Sequence, residues 1–235
     1  MNPFDLPPVA AALDGLYHLV MALITTLEPW AGASAAALAI VTLTAAVRLV
    51  LLPVAISQVR AEIQRRRIAP RVEALRTRHR SDREALTRAL GRLYTSERVS
   101  PVAGIGPTLL QVPVLAGVYA LFSHATIAGH ANALLAHTVF GAALGANLVA
   151  GLPHVAAFVV ILLLLAGVVE LTRRANLRFA PQPATPVPGA AALARVLPFV
   201  TVVFAALAPF AAALYLVTSA AWTLGERAIL RRRLA

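Results

Sequence analysis

The sequence predicts an all-α membrane protein with five transmembrane helices, a cytoplasmic helical hairpin and an N-terminal interfacial helix. Three observations carry that expectation. Of 235 residues, 59% are apolar and 13% charged, at a mean hydropathy of +0.76, too apolar for the surface-to-core mixture of a water-soluble domain. Four stretches, 29–47, 49–59, 99–169 and 196–225, contain no Asp, Glu, Lys or Arg and make up more than half of the chain. The net charge of +11 comes from twenty-one arginines and no lysine against ten acids, with the arginines clustered between apolar stretches. With no cysteine, a disulfide framework, a thiolate metal site and a cysteine nucleophile are excluded.

The N-terminal piece, residues 1–33, places Leu13, Leu16, Tyr17, Val20, Ile24 and Leu27 on one helical stripe, with Asp14 and His18 off it, as in a helix lying on the outer interface. A signal peptide would want a basic start, and this end is acidic. A hydrocarbon core of about 30 Å takes roughly 20 apolar helical residues, so the first span runs from about Ser34 to Ile56, interrupted only by Arg48. The second covers Pro101 to Phe122 and the third Pro153 to Leu171. The stretch Val196 to Gly225 reads as a short-legged hairpin of two spans turning at Pro209. The core is thus 34–56 plus 101–230, followed by a basic tail, 231–235.

Orientation follows from the arginines. Three acids and no base precede Arg48, whereas twelve arginines and five acids lie between Ser57 and Val99, and further arginines flank 173–195 and close the chain. All clusters fall in the cytoplasm if the N-terminus is outside and the C-terminus inside. Making Ala131 to Leu152 a sixth span would export the later clusters, so this run is expected to be a re-entrant or interfacial segment on the outer face, with Gly141 and Gly145 in small-residue spacing.

Residues 57–100 read as a hairpin of two helices. Val59, Ile63, Ile68, Val72 and Leu75 mark the first, with a kink or fresh start at Pro70; Ser81-Asp82-Arg83-Glu84 spells a capping box opening the second, which carries Leu86, Leu90 and Leu93. The charge of this hairpin suits either a loop beside anionic headgroups or a docking surface for a polyanion such as the ribosome, through Arg65, Arg66, Arg67, Arg76, Arg78 and Arg80. Tyr94 stands alone, so no base-stacking platform for sequence-specific nucleic-acid recognition is expected.

Arg48 is the chemical anomaly. A guanidinium inside a span costs about 2.5–3.5 kcal/mol on insertion scales, stays protonated, and meets no acid within any of the expected spans. Either it snorkels to headgroups or it faces a wet groove, for which Thr44, Gln111, Tyr215 and Ser219 are candidate linings, with Thr218 and Trp222 as further groove or helix-packing positions. No cofactor or metal is expected: the histidines are scattered, and no phosphate-cradling glycine loop or nucleophile motif is present. The prolines 181, 183, 186 and 188 before Gly189 read as a linker.

The run Thr44-Ala45-Ala46-Val47-Arg48-Leu49-Val50-Leu51-Leu52-Pro53, then Pro70, Leu93-Tyr94, Ser100-Pro101, Pro107, Leu110-Gln111-Val112-Pro113, Tyr119, and late in the chain Pro209, Leu214-Tyr215 and Ser219, resembles the YidC/Oxa1/Alb3 membrane protein insertases. Ala211, Ala220 and Ser100 depart from that family's usual Gly, Asn and Asn. The resemblance implies a groove open to the cytoplasm and to lipid, with Arg48 in it and Thr44, Gln111, Tyr215 and Ser219 touching the client. It further implies insertion of nascent membrane proteins without nucleotide hydrolysis, in the bacterial cytoplasmic membrane, with the ribosome, signal recognition particle machinery and Sec translocon as partners. The shorter bacterial form, without a large extracytoplasmic domain, is the expected type. Two rivals are a membrane-anchored ribosome-binding protein, in which only the hairpin acts, and a small transporter, which would show internal repeats or a membrane-embedded acid.

Overall fold

The computed structural model describes residues 6–97, 99, 105–148, 155–179 and 189–234, with only the backbone given for 105–111 and 190–191. Nine α-helices are placed among them: α1 (Pro7–Ala31), α2 (Ala35–Val50), α3 (Leu52–Arg78), α4 (Arg83–Ser96), α5 (Ile105–Ser123), α6 (Val155–Phe179), α7 (Ala190–Val196), α8 (Val200–Leu207) and α9 (Phe210–Leu234). Two helical stretches, Pro7–Val50 and Val155–Phe179, are long and apolar enough to cross a membrane. On α6, Val159, Val160, Leu163, Leu164 and Leu171 point outward, and on α8 Val203, Phe204 and Leu207 do. Apolar faces of that extent belong in lipid.

Helix α1 buries Leu13, Tyr17, Val20 and Ile24, four members of the expected stripe, against α2 and α5. Gly32, at φ +50°, ends it, and a 3-10 turn at Gly32–Ser34 leads into α2. The expected first span is not one uninterrupted helix. Pro53 has no N–H to offer the Leu49 carbonyl, so α2 stops after Val50 and α3 begins at Leu52 with the proline in its first turn. Pro70 is absorbed inside α3 without ending it.

In the hairpin, the cap of α4 is Asp82 rather than Ser81: its Oδ1 accepts from the Ala85 N–H at 2.9 Å. Glu97, just past α4, accepts from Arg67 at 2.9 Å and also from Arg71, which ties the end of the hairpin back to its first arm.

The turn at Pro209 is present, but the hairpin legs are longer than the charge-free run suggests. The first extends through α7, a 3-10 turn at Leu197–Phe199 and α8; the second, α9, has 25 residues and carries Glu226 and four arginines within the helix. Charge ended the apolar stretch without ending the helix. Helix α9 is the hub, packed on α2, α3, α5, α6 and α8. Its alanines at 211, 212 and 213 are buried and small enough for neighbouring backbones to come close, while Phe210 meets Phe158 of α6 edge to face at 4.8 Å.

Residues 124–148 are the part of the described chain that is least helical. The segment expected to be re-entrant or interfacial forms two small antiparallel hairpins, β1 (Thr126–Ile127) with β2 (His130–Ala131) and β3 (Thr138–Val139) with β4 (Ala142–Ala143), separated by a 3-10 turn at Ala133–Ala136. Each turn has both central residues left-handed: Ala128 (φ 47°) with Gly129 (φ 86°), and Phe140 (φ 52°) with Gly141 (φ 80°). Gly141 and Gly145 therefore do not form a helix-packing face. The segment caps helix ends: Leu144 and Ala146 carbonyls accept from the first amides of α9, Ala211 and Phe210, at 2.9 and 2.8 Å. Buried Asn132 donates to the Leu121 and His124 carbonyls at the end of α5, at 2.8 and 3.0 Å. The expected positions at Ser100-Pro101, the start of the third span at Pro153 and the linker prolines lie outside the described residues.

Candidate functional site

Arg48 sits in the last turn of α2, where a cation is favoured by the helix's carbonyl end. Its Nη2 donates to Ser219 Oγ on α9. The side chain reaches α9, and the residue keeps only 9% of its exposure. Its Nε is buried with no hydrogen-bond partner among the described residues. A buried guanidinium with a donor unused is costly, and it is held here because α2 and α9 pack tightly around it.

Thr44, one turn earlier and 1% exposed, satisfies its hydroxyl on the Ile40 carbonyl at 2.7 Å within its own helix. Tyr215, 4% exposed, donates to the Leu115 carbonyl of α5 at 3.3 Å, and its ring packs against Phe122 and Tyr119. Thr218 donates to Leu214, again within one helix. Trp222 donates its indole N–H to Glu226 at 2.9 Å. Gln111 lies on α5, and its side chain is outside the description. The structure therefore brings Arg48, Ser219 and Tyr215 together and leaves Thr44 and Thr218 bonded to their own backbones.

Glu226 was missed because it lies beyond the charge-free stretch. It falls within electrostatic range of Arg48, as does Tyr215. No acid lies within the expected spans, and Glu226 comes one residue past the last of them: the face of α9 that carries Tyr215, Ser219 and Trp222 continues one further turn to it. Helical spacing alone, four residues from Trp222 and seven from Ser219, could have found it.

At the arginine-rich end, a second polar cluster locks three helices. Arg231 of α9 donates to Glu62 of α3 at 2.6 Å and to Asn176 of α6 at 2.9 Å. Arg231 and Arg66 both lie over the Phe179 ring, at 4.3 and 4.4 Å. Arg66, Arg65, Arg76 and Arg78 line a cleft of about 1350 Å³ beside α3 that also includes Tyr94 and Phe179. Arg67 is paired with Glu97, Arg76 lies 4.0 Å from Glu73, and Arg80 is exposed at the turn between the hairpin arms. On α6, Glu170 accepts from Arg173 and Arg174 at 2.6–2.8 Å.

At the opposite end, Asp14 of α1 accepts from His130 Nε2 at 2.8 Å, with His18 at 3.6 Å from the same oxygen and Tyr17 packed on the His130 ring at 4.9 Å. The hydrogen bond to Asp14, then that to the Ala131 carbonyl and the Asp14 charge, raise the His130 pKa above the ordinary histidine value.

The sequence profile of the family described as 60Kd inner membrane protein matches residues 26–235. Three similar proteins all carry the name Membrane protein insertase YidC. That of Allorhizobium ampelinum is 41% identical over 81 residues, 34% of this chain and 13% of that protein. That of Neisseria meningitidis serogroup C is 40% identical over 86 residues, 36% of this chain and 16% of that protein. That of Geobacter sulfurreducens is 32% identical over 82 residues, 35% and 15% respectively. The matched stretch is thus a small part of each of these relatives.

Proposed function

The chain belongs to the 60Kd inner membrane protein family, the YidC/Oxa1 family, and on that premise we propose that it moves nascent membrane-protein segments from the cytoplasm into the bilayer of the bacterial inner membrane. The observation that carries this reading is Arg48, a cation buried between two apolar helices and held by a serine hydroxyl instead of a carboxylate. A hydroxyl is a weak partner for a guanidinium, so an acidic or amide-rich client segment can replace it at a gain.

In this reading α2 with the start of α3, α5, α6, α7–α8 and α9 are the five spans, the N-terminus lies outside, and the arginine-rich ends face the cytoplasm. Arg48, Thr44, Gln111, Tyr215 and Ser219 form the groove, which is closed at rest and opened by the client. The client's polar terminus exchanges with Ser219 for Arg48, which lowers the cost of desolvating it. Its apolar segment then enters lipid at roughly 25 cal/mol per Å² of apolar surface, and neither nucleotide hydrolysis nor covalent chemistry is needed. Trp222 and Glu226 hold the inner end of the groove, with Thr218 packing beside it. The hairpin and its cleft receive the chain as it emerges, which makes ribosomes, targeting factors and a Sec translocon its natural partners.

The test is insertion of single-span clients into proteoliposomes carrying Arg48→Ala or Arg48→Lys. We expect the alanine variant to lose insertion by tenfold or more for clients with acidic translocated ends, equivalent to about 1.4 kcal/mol, and the lysine variant to retain part of it. Unchanged insertion of every client by both variants would remove Arg48 from the mechanism.

A further inference from the structure

Between the last turns of α6 and α9 lies a recess of about 220 Å³, floored by Phe179 and Leu224 and ringed by Arg178, Arg227, Arg231 and Arg232. No acid is among its lining residues. Elsewhere on α6, Arg173 and Arg174 share Glu170, and of the four arginines of the recess Arg231 is paired with Glu62. Arg178, Arg227 and Arg232 have no hydrogen-bond or ion-pair partner among the described residues, and Arg231 buries an unpartnered Nε. Guanidiniums gathered around one small space repel one another, and an anion seated there would relieve that repulsion through charge-assisted hydrogen bonds.

The shape narrows the anion. At about 30 Å³ per water the recess holds roughly seven waters, enough for a phosphodiester headgroup and too little for a folded polyanion. Its floor is apolar, and Leu171, next to the lining Thr172 on α6, is more than half exposed. A ligand with a phosphate at one end and hydrocarbon at the other matches both parts. Basic residues in a last turn also complement the helix dipole, but that effect does not require a recess or an apolar floor.

We infer that this recess binds the headgroup of an anionic phospholipid of the inner leaflet, with its acyl chains along the exposed leucines of α6. The leaflet rests on the proposed orientation; the chemistry of the site does not. Bound there, the lipid would bridge α6 to the hub helix.

The test is native mass spectrometry of the full chain released from detergent with phosphatidylglycerol, phosphatidylethanolamine, inorganic phosphate or a short oligoribonucleotide. The expected result is retention of phosphatidylglycerol over phosphatidylethanolamine, reduced about tenfold by the double variant Arg227→Gln/Arg232→Gln, from the loss of two surface cations. The double variant Arg83→Gln/Arg88→Gln, which loses the same charge on α4, should bind as the parent does. Ala228→Leu, which fills the recess without changing charge, should lose the lipid as well, and it serves where the arginine variant folds poorly. Equal retention by all variants, full competition by millimolar phosphate, or preference for the oligoribonucleotide would each overturn the assignment. Because binding is read without a client, it is separable from insertion. Labelling of Arg227→Cys from outside would overturn the inner-leaflet assignment.

Discussion

Arg48 and Ser219, 171 positions apart in sequence, meet as guanidinium and hydroxyl between α2 and α9. That contact turns an expensive residue into a link between α2 and α9. Removing Ser219's hydroxyl leaves a second guanidinium nitrogen without a partner, while removing Thr218's hydroxyl only frees a carbonyl contact within its own helix. Ser219→Ala should therefore lower stability by about 1–3 kcal/mol, seen as a lower melting temperature in detergent, while Thr218→Ala stays close to the parent. Equal shifts would mean that the contact contributes nothing.

Asn132 closes the end of α5 from the hairpin segment. Asn132→Ala strands two carbonyls at a buried helix end and should cost about 1–3 kcal/mol. The check is amide exchange: Leu121, Phe122 and neighbouring amides should lose protection while those of α3 do not.

Gly145 leaves no room for a side chain. A Cβ there would lie 3.0 Å from Leu135 Cβ and 3.1 Å from the Leu135 carbonyl oxygen, which already accepts the Gly145 N–H at 2.8 Å. Gly145→Val should destabilise by about 1–3 kcal/mol through overpacking, and thermal unfolding would read it. An unshifted melting temperature would mean that the loop can move away freely.

His130 gives a pH dependence whose sign is fixed. Its pKa is raised in the fold by Asp14, so the protonated form is bound more tightly than in the unfolded chain. That contribution is full below the ordinary histidine value near 6.5 and fades as pH rises through the raised one. The melting temperature should fall as pH rises from about the ordinary histidine value of 6.5 through the raised one, and His130→Gln should flatten the slope. Asp14, His18 and Tyr17 are the groups that face it, and a slope that survives in the variant would mean that His130 does not carry the effect.

Glu62 and Arg231 are an ion pair of the costly kind, with the arginine side chain 11% exposed. Glu62→Ala should destabilise by about 1–3 kcal/mol and respond little to salt. Removing Glu84, whose pair with Arg88 is exposed on both sides, should cost about 0–1 kcal/mol. Denaturant titrations of the two variants in low and high salt would separate these outcomes.

Much of the architecture was legible from patterning, because period and charge are local properties. The stripe Leu13, Tyr17, Val20, Ile24 is the buried face of α1, and Pro209 marks a turn because a proline can neither donate to a helix nor continue one. The hairpins of residues 124–148 were not legible. Their turns use Ala128-Gly129 and Phe140-Gly141, without the Asn or Asp that usually signals such a turn, and their strands are two residues long, too short for alternation to register.

By itself, then, the sequence determined which segments are helical and apolar, where the arginines lie relative to them, and that Arg48 is the cation misplaced among apolar residues. Those facts follow from composition and spacing along one chain. Only the tertiary structure decided what Arg48 touches, that Glu226 shares its surroundings, and that Glu62, Asn176 and Arg231 converge on one cluster. Each of these depends on the rotation of one packed helix against another, which close packing sets collectively and no local pattern encodes.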